Sequence, residues 1–325
     1  MTAVPIPLRT AAFWTVYKRL ERRPVMQTRP HQTRAASELR KRAMKIPFAR
    51  LLTGGLARGV AVLDTAATLP DGTMLPLRVY RPTSAPAGAL PVVVNFHGGG
   101  WVSGDVHQSE WWASSVAALA GVVVISVEYR LAPEHSFPVP MEDCYGATEW
   151  IAEHAAELGV DARRLTVMGD SAGGNLAAAV SVAARDRGTP DIALQVLVYP
   201  CVELIDTFPS EAENFDAPIL SGRDLDNTPK LYFHNSDREM SDPYASPLRA
   251  KHEGLPPALV QTAQFDPLRD QGSAYAEALR EAGVEVRLTN YVDAVHGYAT
   301  LPGLMPTARQ ALAEAVAMIR HYLSA

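Results

Sequence analysis

Strand-like apolar runs alternate with helical segments from residue 91 to the end of this 325-residue chain, and this alternation constrains the fold more than any other feature. The first two runs are almost continuously apolar, as strands covered on both faces require. Alternation at this spacing predicts an α/β fold with a mostly parallel central sheet and helices on both faces. The six runs are PVVVNF (91–96), VVVISVEY (122–129), RLTVMG (164–169), IALQVLVYP (192–200), PALVQTAQ (257–264) and VEVRLTNY (284–291).

The helices between these runs are predicted from apolar spacing and from stop signals. Gly159 follows one apolar stripe and is typical of a helix C-terminus. Upstream of the alternation, residues 59–82 read as two further strands joined at an Asp71-Gly72 turn. The predicted helices are 107–120, 140–158, the Ala-rich segment that ends near Arg187, 270–283 and 306–323.

Two segments do not follow the alternation. Residues 203–243 connect two predicted strands with weak periodicity and many turn residues, and a connection this long usually has a function or small elements of its own. Residues 1–50 hold 12 Lys/Arg and 2 Asp/Glu. That charge suits a transit peptide, a membrane-surface helix or a solvated cap, and the helical apolar spacing favours the cap. We predict a helical cap from 1–50 and 203–243 on a main domain of 51–202 and 244–325.

Charge, hydropathy and cysteine content exclude several functional classes. The formal net charge of −5 argues against a general affinity for nucleic acid. No uncharged apolar window is long enough to span a membrane, and the apolar run before Lys18 is too short for a secretory signal. Cys144 and Cys201 lack the spacing of a disulfide framework or a metal site, so both are predicted to be buried in a reducing, cytoplasmic environment.

The segment VMGDSAGGN (167–175) places a candidate nucleophile between a predicted strand and a predicted helix. It contains G-x-S-x-G, with Ser171 on a sharp turn whose neighbours two before and two after are glycines. The start of the next helix directs N–H groups and its positive dipole end toward this serine. A glycine-rich helix start matches the same pattern by chance, but the flanking strand and helix favour the nucleophile.

A serine hydroxyl needs a nearby base to act as a nucleophile, and in this architecture the chain order is Ser, then Asp or Glu, then His. His296 follows the last predicted strand, at the sheet edge where Ser171 is also expected. We therefore predict that His296 is the base. The other downstream histidines lie in the terminal helix or in or near the long connection: His321, His234 and His252.

The acid that orients the base is expected after the preceding strand. Asp266 comes directly after that strand, so we predict that it holds the imidazole tautomer and stabilises the imidazolium. Asp270 is a rival, but it stands where a helix N-cap is needed. Asp293, three residues before His296, is a weaker and solvent-exposed rival.

Three consecutive glycines, Gly98 to Gly100, follow the first strand-like run, although such a sequence costs backbone entropy on folding. Acyl transfer places negative charge on the former carbonyl oxygen, which must meet preorganised donors. Backbone N–H groups can serve only where no Cβ blocks the approach. These glycines therefore predict one side of an oxyanion hole, and the N–H of Ala172 is the complementary donor.

The same glycines also permit a dinucleotide-binding interpretation. Gly98, Gly100 and Gly104 follow a strand, and Glu128 ends the next one, roughly as in a dinucleotide site. That interpretation leaves the Ser, His and Asp residues unexplained, and the next helix begins too late to meet a pyrophosphate. There is no P-loop lysine and no H-E-x-x-H motif, so we predict neither a cofactor nor a metal.

At this point the chain resembles the hormone-sensitive-lipase-like branch of the α/β hydrolases, the bacterial family IV carboxylesterases. The matching motifs run in the family's order from about residue 92 to 300: HGGGW (97–101), YRLAPEH (129–135), GDSAGG (169–174), DPYASPL (242–248), DPLRD (266–270) and HGY (296–298). The resemblance implies an α/β-hydrolase fold with a helical cap. It also implies a catalytic triad of Ser171, Asp266 and His296 and an oxyanion hole formed by the amides of Gly99, Gly100 and Ala172.

The resemblance further implies a carboxylesterase that acts on short- to medium-chain acyl esters and needs no cofactor. An amidase or peptidase shares the triad, and hormone-binding receptors share the fold but lack the catalytic histidine. Dimers are frequent among similar proteins, so the resemblance allows a homodimer without fixing the quaternary state. Tyr298 departs from the phenylalanine that is usual after His-Gly. Candidate residues of the substrate pocket are Trp101, Tyr298, Asp170, Trp14, Tyr17 and Phe208.

Overall fold

The computed structural model describes residues 6–20, 47–85 and 88–323. The strands are β1 (Val60–Thr68), β2 (Met74–Pro82), β3 (Leu90–Phe96), β4 (Val123–Val127), β5 (Val160–Asp170), β6 (Leu194–Val198), β7 (Ala258–Phe265) and β8 (Val286–Val295). The helices are α1 (Leu8–Leu20), α2 (Pro47–Thr53), α3 (Glu110–Ala120), α4 (Val139–Glu153), α5 (Ala155–Leu158), α6 (Ala172–Arg187), α7 (Pro209–Glu213), α8 (Gly222–Tyr232), α9 (Arg269–Glu281) and α10 (Thr307–Leu323).

The eight strands found in the described residues form one sheet in the order β1-β2-β4-β3-β5-β6-β7-β8. Strand β2 pairs antiparallel with both β1 and β4, and the remaining neighbours pair parallel. The predicted mostly parallel α/β sheet is therefore confirmed. The carboxyl ends of β3, β5, β6, β7 and β8 meet at one edge, which is where parallel sheets bind ligands.

The apolar runs bury side chains on both faces of the sheet. In β3, Val92 and Val94 contact the cluster that includes residues of α4 and α6. Val93 points the other way, into the cluster that includes residues of α3 and α10. All three valines have no exposed surface. Successive side chains of a strand face opposite sides, so a run without polar residues is what a sheet covered on both faces requires.

The predicted element bounds hold at some ends and are wrong at others. Helix α6 ends at Arg187 as predicted, because Gly188 takes the left-handed conformation with φ 78°. The helix predicted over 140–158 is wrong as a single element, since His154 separates α4 from α5. Strand β8 continues past its predicted end because Val295 still pairs with Phe265 of β7.

The N-terminal helix packs at the outer edge of the sheet. The Thr10 hydroxyl donates to the Asp293 carbonyl at 2.7 Å, and the Trp14 ring meets Phe265 with centroids 6.5 Å apart. Helix α2 crosses the boundary predicted at residue 50. Among the helices that the structure describes, none is both long and apolar enough to cross a membrane.

Candidate active site

Ser171 lies on the sharp turn between β5 and α6. Its backbone has φ 57° and ψ −119°, a strained conformation for a residue with a Cβ. The glycines on either side allow the turn: a Cβ on Gly169 would overlap the carbonyl of Gly173, and a Cβ on Gly173 would overlap the carbonyl of Phe96. The predicted small-residue requirement therefore has a steric cause at both positions.

The register of the parallel sheet brings the other two predicted residues together. Phe265 of β7 pairs with Val295 of β8, so the next residue of each strand, Asp266 and His296, emerges at the same edge. The two strands are adjacent, and β6 alone separates β7 from the strand that carries Ser171. Three residues far apart in the sequence therefore meet because each follows the carboxyl end of a strand.

The three side chains form one hydrogen-bonded chain. His296 Nδ1 lies 2.7 Å from Asp266 Oδ2, and Nε2 lies 2.9 Å from Ser171 Oγ. A carboxylate can only accept, so Nδ1 carries the proton and Nε2 accepts from the serine hydroxyl. Asp266 is fully buried and also accepts from the Leu268 N–H at 2.9 Å. The buried carboxylate thus fixes the ring orientation and the tautomer that the serine needs.

The rival acids have other partners. Asp270 is not the N-cap of its helix, because α9 begins at Arg269 with Leu268 before it. The Asp270 carboxylate instead accepts from the Ser210 N–H at 2.9 Å and pairs with Arg269. Asp293 is not simply solvated, since its carboxylate accepts from the Thr307 hydroxyl at 2.8 Å. Neither carboxylate forms a hydrogen bond with the His296 ring.

The glycine run forms a tight turn beside the serine. Gly99 has φ 124° and Gly100 has φ 63°. The Gly99 carbonyl accepts from the Ser103 N–H at 3.0 Å and from its hydroxyl at 2.9 Å, and a Cβ on Gly99 would overlap the Ser103 carbonyl. Ala172 is the first residue of α6, where N–H groups have no partner within the helix. These positions are the ones predicted for an oxyanion hole.

Asp170 links the nucleophile turn to the glycine turn. Its Oδ1 accepts from the Gly98 N–H at 3.0 Å. Burial raises the pKa of this carboxyl above its ordinary value, while the neighbouring His97 and the Gly98 N–H lower it. The residue before Ser171 therefore holds the start of the glycine turn in place.

A cavity of about 560 Å³ opens over Ser171 and His296. Its walls come from both the sheet edge and residues 203–243. The predicted site residues that line it are Gly99, Gly100, Trp101, Asp170, Ser171, Ala172 and His296.

Three of the predicted pocket residues do not line this cavity. Tyr298 is fully buried behind His296, edge-on to Tyr199 at 4.9 Å, because the chain turns inward after Gly297. Trp14 packs against Phe265 instead. Phe208 lies half-buried at the start of α7, and it is the preceding residue, Thr207, that lines the cavity. The side chain of Tyr17 lies outside the described residues.

Several cavity residues were missed by sequence reasoning. Tyr199 follows β6 and packs against the His296 ring with centroids 4.7 Å apart, and its place at a strand's carboxyl end was the available signal. Cys201 was predicted only as a buried residue, yet it lines the cavity. Burial raises the pKa of its thiol to about 12, so it stays protonated at neutral pH. Others have no sequence signal, among them Leu220, Leu225, Thr228 and Gln271.

No group of three or more His, Cys, Asp or Glu residues suited to a metal ion occurs within the described ranges. The cavity's reactive groups are the hydrogen-bonded Ser-His-Asp chain and backbone N–H donors beside it. This arrangement can activate a hydroxyl for attack on a carbonyl carbon and stabilise the resulting oxyanion.

Comparison with known proteins places this geometry in a family. A family model described as the alpha/beta hydrolase fold matches residues 93–300. Carboxylesterase NlhH of Mycobacterium tuberculosis is 43% identical over 259 residues, which are 78% of this chain and 81% of that protein. An arylesterase of Saccharolobus solfataricus is 38% identical over 235 residues, 70% of this chain and 74% of that protein.

Solved structures of esterases also match this chain over almost its whole length. A thermostable esterase from Pseudomonas putida ECU1011 superposes with a TM-score of 0.89 at 33% identity and covers all of both chains. A hyperthermophilic esterase from the archaeon Pyrobaculum calidifontis superposes with a TM-score of 0.87 at 35% identity, covering 98% of each chain.

Proposed function

This chain belongs to the hormone-sensitive-lipase-like branch of the α/β hydrolases, whose relatives are carboxylesterases, and on that premise we propose that it hydrolyses short- to medium-chain acyl esters through a Ser171 acyl-enzyme. The observation that carries the proposal is the hydrogen-bonded chain from Ser171 Oγ through His296 to Asp266, with distances of 2.9 and 2.7 Å. The ester is a small molecule that enters the cavity above these residues.

In the first half-reaction Ser171 Oγ attacks the ester carbonyl carbon while His296 Nε2 takes the hydroxyl proton. The carbonyl π electrons move to oxygen, and the resulting oxyanion accepts hydrogen bonds from the N–H groups of Gly99, Gly100 and Ala172. When the C–O bond to the alcohol breaks, His296 donates the proton to the leaving oxygen. Asp266 stabilises the imidazolium between these transfers.

In the second half-reaction water attacks the acyl-enzyme, and His296 again accepts and returns the proton. The products are the free acid and the Ser171 hydroxyl, so the cycle balances without another reactant. Preorganised donors contribute strongly, because losing one typically lowers the rate by about 100- to 1,000-fold. Every step uses groups of this chain and water.

The cavity supports the proposed acyl range. Its volume of about 560 Å³ suits a small ester, and its apolar side chains suit an acyl chain. They include Leu204, Ile219, Leu220, Leu225 and Leu268.

We also propose that residues 203–243 and 1–50 act as the cap over a catalytic domain of 51–202 and 244–325. Helix α8 supplies Leu225, Thr228 and Pro229 to the cavity wall, which supports a role for this insertion in substrate selection. Residues 21–46 lie outside the described part of the chain. The homodimer that the resemblance allows stays a prediction.

Amide hydrolysis is the second candidate because it uses the same triad. Amide leaving groups are harder to expel, so the proposal predicts much faster turnover of p-nitrophenyl butyrate than of the matched butyryl p-nitroanilide. Comparable kcat/KM values for the two would replace the esterase with an amidase. A Ser171→Ala variant that retained full esterase activity would refute the mechanism itself.

A further inference from the structure

The turn that holds the oxyanion donors continues into a residue that is not a glycine. Trp101 has φ 61°, after Gly99 at 124° and Gly100 at 63°. A large side chain pays a steric cost in this left-handed region, and such a conformation persists only where its surroundings enforce it. Trp101 is 2% exposed, so the enforcing contacts are in the protein interior.

Two contacts of Trp101 stand out. Its carbonyl accepts from the Ala132 N–H at 2.9 Å, which fixes the backbone after the turn. Its ring stacks on Tyr232, parallel to it at 0° and with centroids 4.4 Å apart. Tyr232 is the last residue of α8, in the 203–243 insertion, and it is fully buried. The stack therefore joins the oxyanion turn to the insertion.

The same face of α8 lines the cavity. Leu225, Thr228 and Pro229 contact the space above Ser171, and Tyr232 continues their i, i+3 and i+7 spacing. The C-terminal end of α8 is also fixed in place. The Tyr232 carbonyl accepts from the Phe137 N–H at 2.8 Å, and the Tyr232 ring meets the Phe137 ring edge-on. One helix thus shapes the substrate space and supports the turn next to the reacting carbonyl.

We infer that Tyr232 is a positioning residue for ester hydrolysis: by stacking on Trp101 it holds the left-handed turn and aims the Gly99 and Gly100 N–H groups at the oxyanion. This inference rests on the proposed function. Without the ring, Trp101 can relax to negative φ by rotation of the Gly100–Trp101 peptide, and the glycine turn that carries the donor N–H groups then shifts. Donors aimed at the oxyanion act chiefly in the transition state, so their loss lowers kcat more than it changes KM.

The test compares Tyr232→Leu with Tyr232→Phe, which keeps the stacking ring, and with Phe233→Leu as a matched control. Phe233 belongs to the same aromatic cluster, since it stacks on Phe137 at 4.9 Å and meets Tyr232 edge-on at 5.4 Å, but its ring does not stack on Trp101. Steady-state kinetics are measured with p-nitrophenyl acetate and p-nitrophenyl hexanoate, and thermal unfolding shows that each variant is folded.

We expect Tyr232→Leu to lower kcat by about 10- to 100-fold, equally for both esters, with KM within about threefold. Tyr232→Phe restores kcat to within about twofold because no described residue hydrogen-bonds the Tyr232 hydroxyl. Phe233→Leu lowers the unfolding temperature with little change in kcat. An equal loss of kcat in Tyr232→Leu and Phe233→Leu overturns the inference. A loss of kcat that depends on acyl length also overturns it, because such a loss indicates a reshaped cavity.

A crystal structure of Tyr232→Leu separates this inference from the proposed function. If Trp101 moves to negative φ while the Ser171–His296 contact is kept, Tyr232 supports the turn, and this structural part of the inference holds even if the wild type does not hydrolyse these esters. If the turn is unchanged, the positioning role is refuted and the proposed function is untouched. Should Tyr232→Leu not fold, Tyr232→Met takes its place in both measurements.

Discussion

The sheet edge that carries the proposed triad and the 203–243 insertion are built in different ways. At the sheet edge, Ser171, Asp266 and His296 each follow a strand directly, and main-chain register sets their positions. The Ser171 N–H, for example, donates to the Val198 carbonyl at 2.9 Å. The positions of these side chains therefore depend on the backbone hydrogen bonds of the central sheet.

The insertion is fixed to a large extent by side chains. The buried Glu203 carboxylate accepts from the N–H groups of Leu204 and Ile205 and pairs with Arg249. The Gln271 amide oxygen accepts from the Val202 N–H at 2.6 Å. Its two helices are short, with five residues in α7 and eleven in α8. On the proposed function, this difference predicts that the sheet specifies the chemistry and the insertion the choice of substrate.

The largest effect is expected at the sheet edge. His296→Ala removes the base and should lower kcat for p-nitrophenyl butyrate by about 10⁶-fold, and Asp266→Asn, which disturbs the tautomer, by about 10⁴-fold. The controls are Asp270→Asn and Asp293→Asn. We expect their kcat to stay within about threefold of the wild-type value because neither carboxylate hydrogen-bonds the imidazole. A larger loss in either control than in Asp266→Asn would reassign the acid.

The glycine turn should give an intermediate effect. Gly99→Ala places a Cβ against the Ser103 carbonyl at a φ of 124°, so the turn must shift. We expect kcat to fall by about 100- to 1,000-fold, as for the loss of an oxyanion donor. The control Gly72→Ala also has positive φ, at 82°, but nothing lies near its Cβ, so it should leave kcat unchanged. Equal kcat values for the two variants would remove Gly99 from the proposed hole.

A change within the insertion should alter selectivity more than rate. Leu225→Ala enlarges the cavity wall, so the ratio of kcat/KM for octanoate to that for acetate should rise by about tenfold. Asn227→Ala on the same helix, whose side chain does not line the cavity, is the matched control. An unchanged ratio with a much lower kcat for both esters would contradict this prediction, because the insertion would then affect the rate rather than the selectivity.

The smallest effect concerns the pH dependence of stability. Burial raises the pKa of Asp170 above 3.8, so the folded protein keeps this proton after the unfolded chain has lost it. The unfolding free energy of the wild type should therefore fall as pH rises from 3.8 through the raised pKa, and Asp170→Asn should lack this part of the fall. Urea titrations of both proteins at several pH values check this: over this range the unfolding free energy of the wild type should fall more steeply with pH than that of Asp170→Asn. A wild-type stability that rises over this range relative to Asp170→Asn would contradict the raised pKa.

The sheet edge could be predicted from sequence because its signals are local. The glycines around Ser171 report a steric requirement of the turn, and Asp266 and His296 stand next to strand ends that apolar runs make visible. Long-range pairing then follows from the parallel sheet, in which carboxyl ends meet.

The insertion could not be predicted in the same way. Its longer helix contains Pro229, which breaks the usual helical pattern, and Phe208 lies at a helix start where the neighbouring Thr207 faces the cavity. The position of the Tyr298 ring, near the proposed triad, could not be predicted from the sequence either. Its aromatic ring suggested a pocket wall, but the left-handed Gly297 turns the chain inward and buries the ring against Tyr199.

The proposed mechanism requires that Ser171 is the group that carries the acyl chain. Its most direct test is labelling with diethyl p-nitrophenyl phosphate, followed by peptide mass spectrometry and a residual activity assay. We predict one diethylphosphoryl group per chain, on Ser171, with esterase activity falling in proportion to labelling, and no labelling at that rate in His296→Ala. A label on another residue, or full activity in protein whose Ser171 is completely labelled, would contradict the account.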